Sequence, residues 1–247
     1  MQKRQTWLLK ETTSHSTATA LLCALLWLSL SLLSVREANA QGTVTFSQRN
    51  ALGTTHVWGP SLISPTLVWV GNGVNDTPAG TNNYAAAGMF LIGGYGATNV
   101  ATGHYGYKTT FAQLLDAPGA GAPEWSLLPD GQTTTFKTGA SLGSIAPIID
   151  TLSRIPPDAA AATLEMVAWD DSSGLYPTWT QALDAWKAGL IDCGMSGAFT
   201  VTQIGGTMNP SPTILPPSFN LWLISEPSTF ALAGLGAAVM LVFRRRK

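Results

Sequence analysis

Short alternations of polar and apolar residues recur along the middle of the chain and predict β-strands. Residues 43–47 alternate in this way, which places Val44 and Phe46 on one face of an extended strand. Similar runs predict strands at 67–70, 84–92, 133–137, 162–169 and 198–204, separated by loops rich in glycine, asparagine and proline. Because these strands do not alternate regularly with helices, the pattern predicts a mainly β fold, an antiparallel β-sandwich.

A helical spacing interrupts the strands near residue 180. Apolar residues recur there every three or four positions behind a potential N-cap, Thr178: they are Trp179, Leu183, Trp186 and Leu190. We interpret this stripe as a face packed on the sheet rather than as a ligand platform. Residues 110–116 are predicted as a second short helix.

The first of two terminal apolar runs has the form of a signal peptide. Lys3, Arg4 and Lys10 precede an apolar stretch at 21–33, and a small-x-small site, Ala38-Asn39-Ala40, follows it. This order predicts a signal peptide over residues 1–40, cleaved by signal peptidase between Ala40 and Gln41. The alternative is a retained membrane anchor, although the run is short for a spanning helix.

The second run occupies residues 230–243 and is predicted as a transmembrane helix. Its fourteen residues extend about 21 Å as a helix, less than a hydrocarbon core of about 30 Å. Glu226 and Pro227 stand before it, and a basic cluster ends the chain: Arg244, Arg245, Arg246 and Lys247. Because basic clusters stay in the cytoplasm, the preceding domain is expected outside that membrane.

A Glu-Pro motif, a short apolar helix and a basic end resemble the PEP-CTERM sorting signal of Gram-negative bacteria. The resemblance covers residues 225–247, with Glu226 and Pro227 at the central pair and Ser225 where the commonest form has a proline. It implies that an exosortase in the inner membrane recognises the tail, cleaves near the motif and passes the protein to the cell surface or extracellular matrix. Such proteins accompany polysaccharide and biofilm production. A plain C-terminal anchor is the alternative.

Between these ends we predict a β-sandwich domain over residues 41–207 and a proline-rich spacer over 208–224. The spacer contains Pro210, Pro212, Pro216 and Pro217, which favour an extended, semi-rigid chain. The middle also resembles uncharacterised exported proteins of Verrucomicrobia and planctomycete-like bacteria that carry the same tail. The similar pieces lie at 42–46, 136–139, 167–170 and 194–201, and the resemblance implies no activity.

The charge and the cysteine content of residues 41–224 limit the kinds of partner that this part of the chain can bind. Charged residues make up 11% of the chain. Residues 41–224 contain five basic and eleven acidic residues, a net charge of −6, which argues against nucleic acid as a partner. Cys23 would leave with the signal peptide, so Cys193 has no intrachain partner. We interpret it as a buried apolar residue, with pairing between chains as the alternative.

Candidate catalytic and metal sites are weak. Ser196 lies in a sequence similar to a nucleophile elbow, but Ala198 replaces the final glycine and no histidine follows His104. His56 and His104 are not spaced as local metal ligands. We interpret Asn72, Asn75 and Asp76 as a turn rather than a calcium loop. Asp170-Asp171 is interpreted as a solvated turn, with acid–base work by the paired carboxylates as the alternative. The sequence therefore predicts no enzyme, no metal and no cofactor.

Tryptophan content keeps a binding function open. Seven tryptophans follow the signal peptide, and Trp58 and Trp125 lie in glycine- and proline-rich segments where their rings could stack on sugars. The primary prediction is an exported surface or matrix protein with a structural, biofilm-associated role. The alternatives are a carbohydrate-binding module that contacts extracellular polysaccharide and, third, an extracellular hydrolase.

Overall fold

The computed structural model of the chain describes residues 41–71 and 83–224. Three predicted features lie outside these residues: the signal peptide with its site at Ala38 and Ala40, the loop with Asn72, Asn75 and Asp76, and the tail from residue 225. Within the two described ranges, no helix has the length and apolar character needed to cross a membrane.

Strands dominate the secondary structure of the described residues. They are β1 (Gly42–Phe46), β2 (Arg49–Asn50), β3 (Gly53–Thr54), β4 (Val57–Trp58), β5 (Thr110–Pro118), β6 (Leu128–Thr135), β7 (Ile148–Leu152), β8 (Ala161–Asp170), β9 (Cys193–Met195), β10 (Phe199–Thr202) and β11 (Phe219–Asn220). Among the described residues, one α-helix, α1, spans Trp179–Lys187, and short 3-10 turns lie at Ala85–Ala87, Glu124–Ser126 and Gly139–Ser141.

A five-stranded antiparallel sheet forms the centre of the body. Its strand order is β10-β8-β5-β6, and β9 also pairs with β8. Strands β5 and β8 pair over nine residues, from Thr110 opposite Asp170 to Pro118 opposite Ala162. Nine of the ten residues of β8 are buried, as expected for a strand covered on both faces.

Different elements cover the two faces of this sheet. On one face, alternate β8 residues such as Leu164 and Met166 pack with Val44 and Phe46 of β1. Strand β1 itself pairs antiparallel with β7. On the other face, Val167 and Trp169 pack with the helix α1. The predicted mainly β, antiparallel fold with a helix on the sheet is thus confirmed.

Local predictions succeeded where a strand or helix has a strong apolar pattern of its own. The predicted strands at 43–47, 133–137, 162–169 and 198–204 overlap β1, β6, β8 and β10. Thr178 caps α1 by accepting a hydrogen bond from the backbone N–H of Gln181. Trp179 and Trp186 are buried as predicted, whereas Leu190 lies beyond the helix and is 65% exposed.

Three local predictions were wrong. Residues 110–116 form strand β5, not a helix, because they pair with β8 along their whole length. Residues 84–92 form no strand: the 3-10 turn Ala85–Ala87 ends at Gly88, whose φ of 74° turns the chain. In the segment 67–70, Val70 alone makes a β-bridge, to Phe219.

The segment 208–224, predicted as a spacer, is part of the folded body. Phe219 and Leu221 have no exposed surface, and Ile214 is 3% exposed. Strand β11 in this segment pairs in parallel with β4. Because these apolar residues of the proline-rich segment fill the core, residue 207 does not separate the folded body from a spacer.

Candidate functional site

A cleft of about 480 Å³ opens where the end of β8 meets two loops. One loop contributes His104 and Tyr105, and another, after α1, contributes Asp192. Asp170, the last residue of β8, lies between them because its strand register places it opposite Thr110, just after the first loop. The cleft is further lined by Thr98, Ser172, Ser173, Tyr176, Leu190 and Ile191.

His104, Asp170 and Ser172 form a hydrogen-bonded cluster in this cleft. Nδ1 of His104 lies 2.8 Å from Oδ2 of Asp170 and 2.9 Å from Oγ of Ser172. The Ser172 hydroxyl also donates to Oδ2 of Asp170 at 3.2 Å. Asp170 is 4% exposed while the His104 side chain is 66% exposed, so a buried carboxylate orients a solvent-facing ring.

Tyr105 and Asp192 form a second, half-buried pair. The Tyr105 hydroxyl donates to Oδ2 of Asp192 at 2.6 Å. Burial, together with the nearby carboxylate of Asp192, raises the pKa of Tyr105, and burial also raises the pKa of Asp192 despite this hydrogen bond. The φ of Tyr105 is +57°, a left-handed conformation that side chains rarely adopt and that often marks a functional position.

The geometry of the first cluster differs from that of a catalytic triad. In a triad the serine and the carboxylate contact opposite ring nitrogens of the histidine, so that one nitrogen takes the serine proton while the carboxylate stabilises the imidazolium from the other side. Here Ser172 and Asp170 both contact Nδ1 of His104. The arrangement holds the ring and presents hydrogen-bonding groups to the cleft.

Ser196, the residue of the elbow-like sequence, has a structural role. It is 2% exposed, its Oγ accepts a hydrogen bond from the backbone N–H of Met166, and its hydroxyl donates to the carbonyl of Gly197. These contacts tie the chain after β9 to β8. Neither His56 nor His104 is among its hydrogen-bond partners in the described residues.

The two candidate sugar-stacking tryptophans differ in exposure. Trp125 lies in the 3-10 turn Glu124–Ser126 and is 86% exposed. Trp58 is half-buried, and its ring stacks on that of Tyr84 with centroids 5.3 Å apart and planes 5° apart. Since Tyr84 covers one face of Trp58, Trp125 offers the more accessible ring of the two.

Sequence reasoning missed most of the cleft. The interpretation of Asp170-Asp171 as a solvated turn is wrong, because the two residues are 4% and 5% exposed and both carboxylates accept hydrogen bonds. Tyr105 and Asp192 were not singled out, and no local motif marks them. Among the described residues, no group of three His, Cys, Asp or Glu side chains is arranged to hold a metal ion.

Comparison with known proteins identifies the tail. Residues 223–247 match the family described as PEP-CTERM protein-sorting motif. The chain therefore carries a sorting signal that implies export, processing by an exosortase and sorting to the cell surface. No curated protein and no solved structure matches the chain significantly.

Proposed function

We propose that this chain is a structural component of the cell surface or extracellular matrix, without catalytic activity, delivered by signal peptidase and exosortase in turn. The observation that carries the proposal is the sorting motif at residues 223–247. Before cleavage the tail would hold the protein in the inner membrane of a Gram-negative host. Glu226 and Pro227 would be read by the exosortase, and the basic cluster 244–247 would remain in the cytoplasm.

The absence of catalysis is proposed from the geometry of the described residues. Ser172 shares Nδ1 of His104 with Asp170, and Ser196 is buried with its hydroxyl engaged. Neither serine therefore stands in the triad arrangement, in which one ring nitrogen faces the nucleophile and a carboxylate holds the other.

A second candidate function, binding of a neutral sugar, is favoured by the cleft. Carboxylates such as those of Asp170 and Asp192 accept hydrogen bonds from vicinal hydroxyls, and tyrosine rings such as Tyr176 pack on the apolar faces of sugar rings. This site would replace the pair Trp58 and Trp125 as the main sugar contact. Trp125 remains a candidate for a separate, exposed stacking position.

The sorting proposal is tested by the intact mass of the protein recovered from the cell surface and the medium of its host. Termini at Gln41 and near Glu226 would support both processing events. A mass that retains residues 244–247 would mean that the tail acts as an anchor, which contradicts exosortase release. A Glu226→Gln, Pro227→Ala variant should accumulate in the membrane fraction, while a Ser225→Ala variant serves as the control.

The sugar candidate is tested by titration with cello-oligosaccharides, using the full chain in detergent micelles. An Asp192→Asn variant should weaken binding at least about tenfold, because a charge-assisted hydrogen bond contributes more than about 1.4 kcal/mol. A Trp125→Ala variant should leave cleft binding unchanged. Equal binding by the wild type and Asp192→Asn would exclude the cleft as the sugar site.

A further inference from the structure

A second, smaller pocket lies on a different part of the body and has the opposite charge. Its volume is about 270 Å³. Its walls come from the β2–β3 hairpin, in which Arg49 pairs with Thr54, and from the turn that follows β6, beginning at Lys137. The backbone N–H of Lys137 donates to the carbonyl of Ser144 at 2.8 Å, which closes this turn and fixes the pocket wall.

Basic side chains gather at this pocket although the body as a whole is acidic. Two of the five basic residues in 41–224, Arg49 and Lys137, line it together with His56, and none of its lining residues is acidic. Among the described residues, the ion pairs involve His104 and Arg154 rather than Arg49 or Lys137. The positive charge of the pocket is therefore not neutralised by a carboxylate of the described body.

Buried hydrogen-bond donors point to the kind of ligand. Gln48 lines the pocket and is 1% exposed; its Oε1 accepts a hydrogen bond from the backbone N–H of Ile145 at 3.0 Å. This contact fixes the amide, yet its Nε2 has no partner among the described residues. Oγ of Ser144, also lining the pocket and 5% exposed, likewise has no hydrogen-bond partner there. Unsatisfied buried donors are costly, and in folded proteins a water or an ion usually satisfies them.

From these observations we infer that this pocket binds an oxyanion, a sulfate, phosphate or carboxylate group. Arg49 and Lys137 supply the charge, and the amide of Gln48 and the hydroxyl of Ser144 in the pocket lining supply neutral donors. Arginine and lysine side chains together with neutral donors are a suitable environment for such groups. The volume suits one acidic group with part of its carrier rather than a large ligand.

The oxyanion has two sources, a free inorganic ion or an acidic sugar of a polymer. Sodium sulfate represents the first source and oligogalacturonate, whose sugars carry carboxylates, represents the second. The full chain in detergent micelles is titrated with oligogalacturonate by calorimetry. Sulfate is compared with chloride at equal ionic strength by thermal shift, because a bound ion raises the melting temperature of the folded state.

The decisive variant is Arg49→Gln, Lys137→Gln, which removes both positive charges at the rim. Its affinity for oligogalacturonate should fall at least about tenfold, and the extra thermal shift from sulfate should disappear. The general stabilisation by sulfate acts on all variants equally and cancels in this comparison. Lys187→Gln, at the end of α1, removes a basic residue outside the pocket and should retain full binding.

A second variant keeps the test valid if the double variant folds poorly. Arg49→Gln alone changes an exposed side chain and should weaken binding while leaving the melting temperature in chloride unchanged. Binding of both probes supports an oxyanion site open to either source, and binding of one probe assigns the source. Failure of both probes, or equal binding by the wild type and the double variant, would overturn the inference and leave water as the partner of Gln48. These outcomes are independent of how the tail is processed.

Discussion

Arg154 donates from Nη2 to the backbone carbonyl of Asp116, at 2.8 Å, and to the carboxylate of the same residue. Asp116 is completely buried on β5, and its Oδ2 has no hydrogen-bond partner in the described part of the chain. Nε of Arg154 also approaches Oδ2 of Asp130 at 3.9 Å. The guanidinium of Arg154 therefore compensates the negative charge of the buried Asp116 carboxylate. It also links Asp116 on β5 to Asp130 on the neighbouring strand β6.

Replacing Arg154 by methionine should destabilise the body by about 3 kcal/mol, because it leaves Asp116 buried without its charge partner. The measurement is urea unfolding at pH 8, followed by tryptophan fluorescence. An Asp116→Leu, Arg154→Met variant is the control, and it should regain much of the lost stability because no buried charge remains. Equal urea midpoints for the wild type and Arg154→Met would show that the Arg154–Asp116 pair adds little to the free energy of unfolding.

Stability should decrease as the pH rises from about 5 to 8, opposite to the behaviour of most carboxylate-rich proteins. Burial raises the pKa of Asp116 to about 7, of Asp150 to about 6 and of Glu165 to about 7. Between about pH 4 and pH 7 the folded state therefore holds more protons than the unfolded state, in which these groups have ordinary values. The stabilising contribution of these three groups is complete below about pH 4. It is lost as the pH rises through their pKa values in the folded state.

Melting temperatures measured from pH 5 to pH 8 test this dependence. A Glu165→Gln variant has one fewer group with a raised pKa, so its melting temperature should change less over the same range. A melting temperature that rises steadily toward pH 8 in the wild type would contradict the assignment of protonated carboxyl groups to the interior.

Sequence patterns predicted the parts of the fold in which the signal is local. The helix after Thr178 has apolar residues at helical spacing, and β8 is a continuous apolar run, so each can be recognised from its own residues. The sorting motif likewise lies within 25 residues of the tail. Strand β5 was missed because seven residues with mixed polarity fit a helix or a strand equally well, and pairing with β8 decides between them. Such pairing depends on residues more than forty positions away.

The cleft and the basic pocket were missed for the same physical reason. The cleft brings together His104, Asp170 and Asp192 because β5 and β8 pair in one particular register. The spacing of these residues along the chain does not predict that register. Gln48 and Ser144 are ordinary polar residues in the sequence, and their significance comes from burial without partners. Local patterns therefore identified the sorting motif, whereas the cleft and the basic pocket required the tertiary structure.

Alanine at Gly131 should destabilise the protein strongly. Gly131 has a φ of +70°, and a Cβ there would collide with the carboxylate of buried Asp150. The collision adds to the strain of a left-handed alanine. We therefore expect the free energy of unfolding to fall by about 2 kcal/mol or more beyond the effect of that strain alone. The control is Gly121→Ala, since Gly121 has a φ of +67° but no atom within 4 Å of its virtual Cβ. Equal urea midpoints for the two variants would contradict the predicted collision.

Cys193 should resist thiol reagents in the folded protein. It has no exposed surface, it lies among the tryptophans that pack α1 on the sheet, and burial raises the pKa of its thiol. Because the thiolate is the reactive form, maleimide should label Cys193 only after unfolding in guanidinium, as followed by peptide mass mapping. A Leu190→Cys variant provides an exposed thiol as the positive control. Rapid native labelling of Cys193, or a disulfide-linked dimer through it, would support the alternative of pairing between chains.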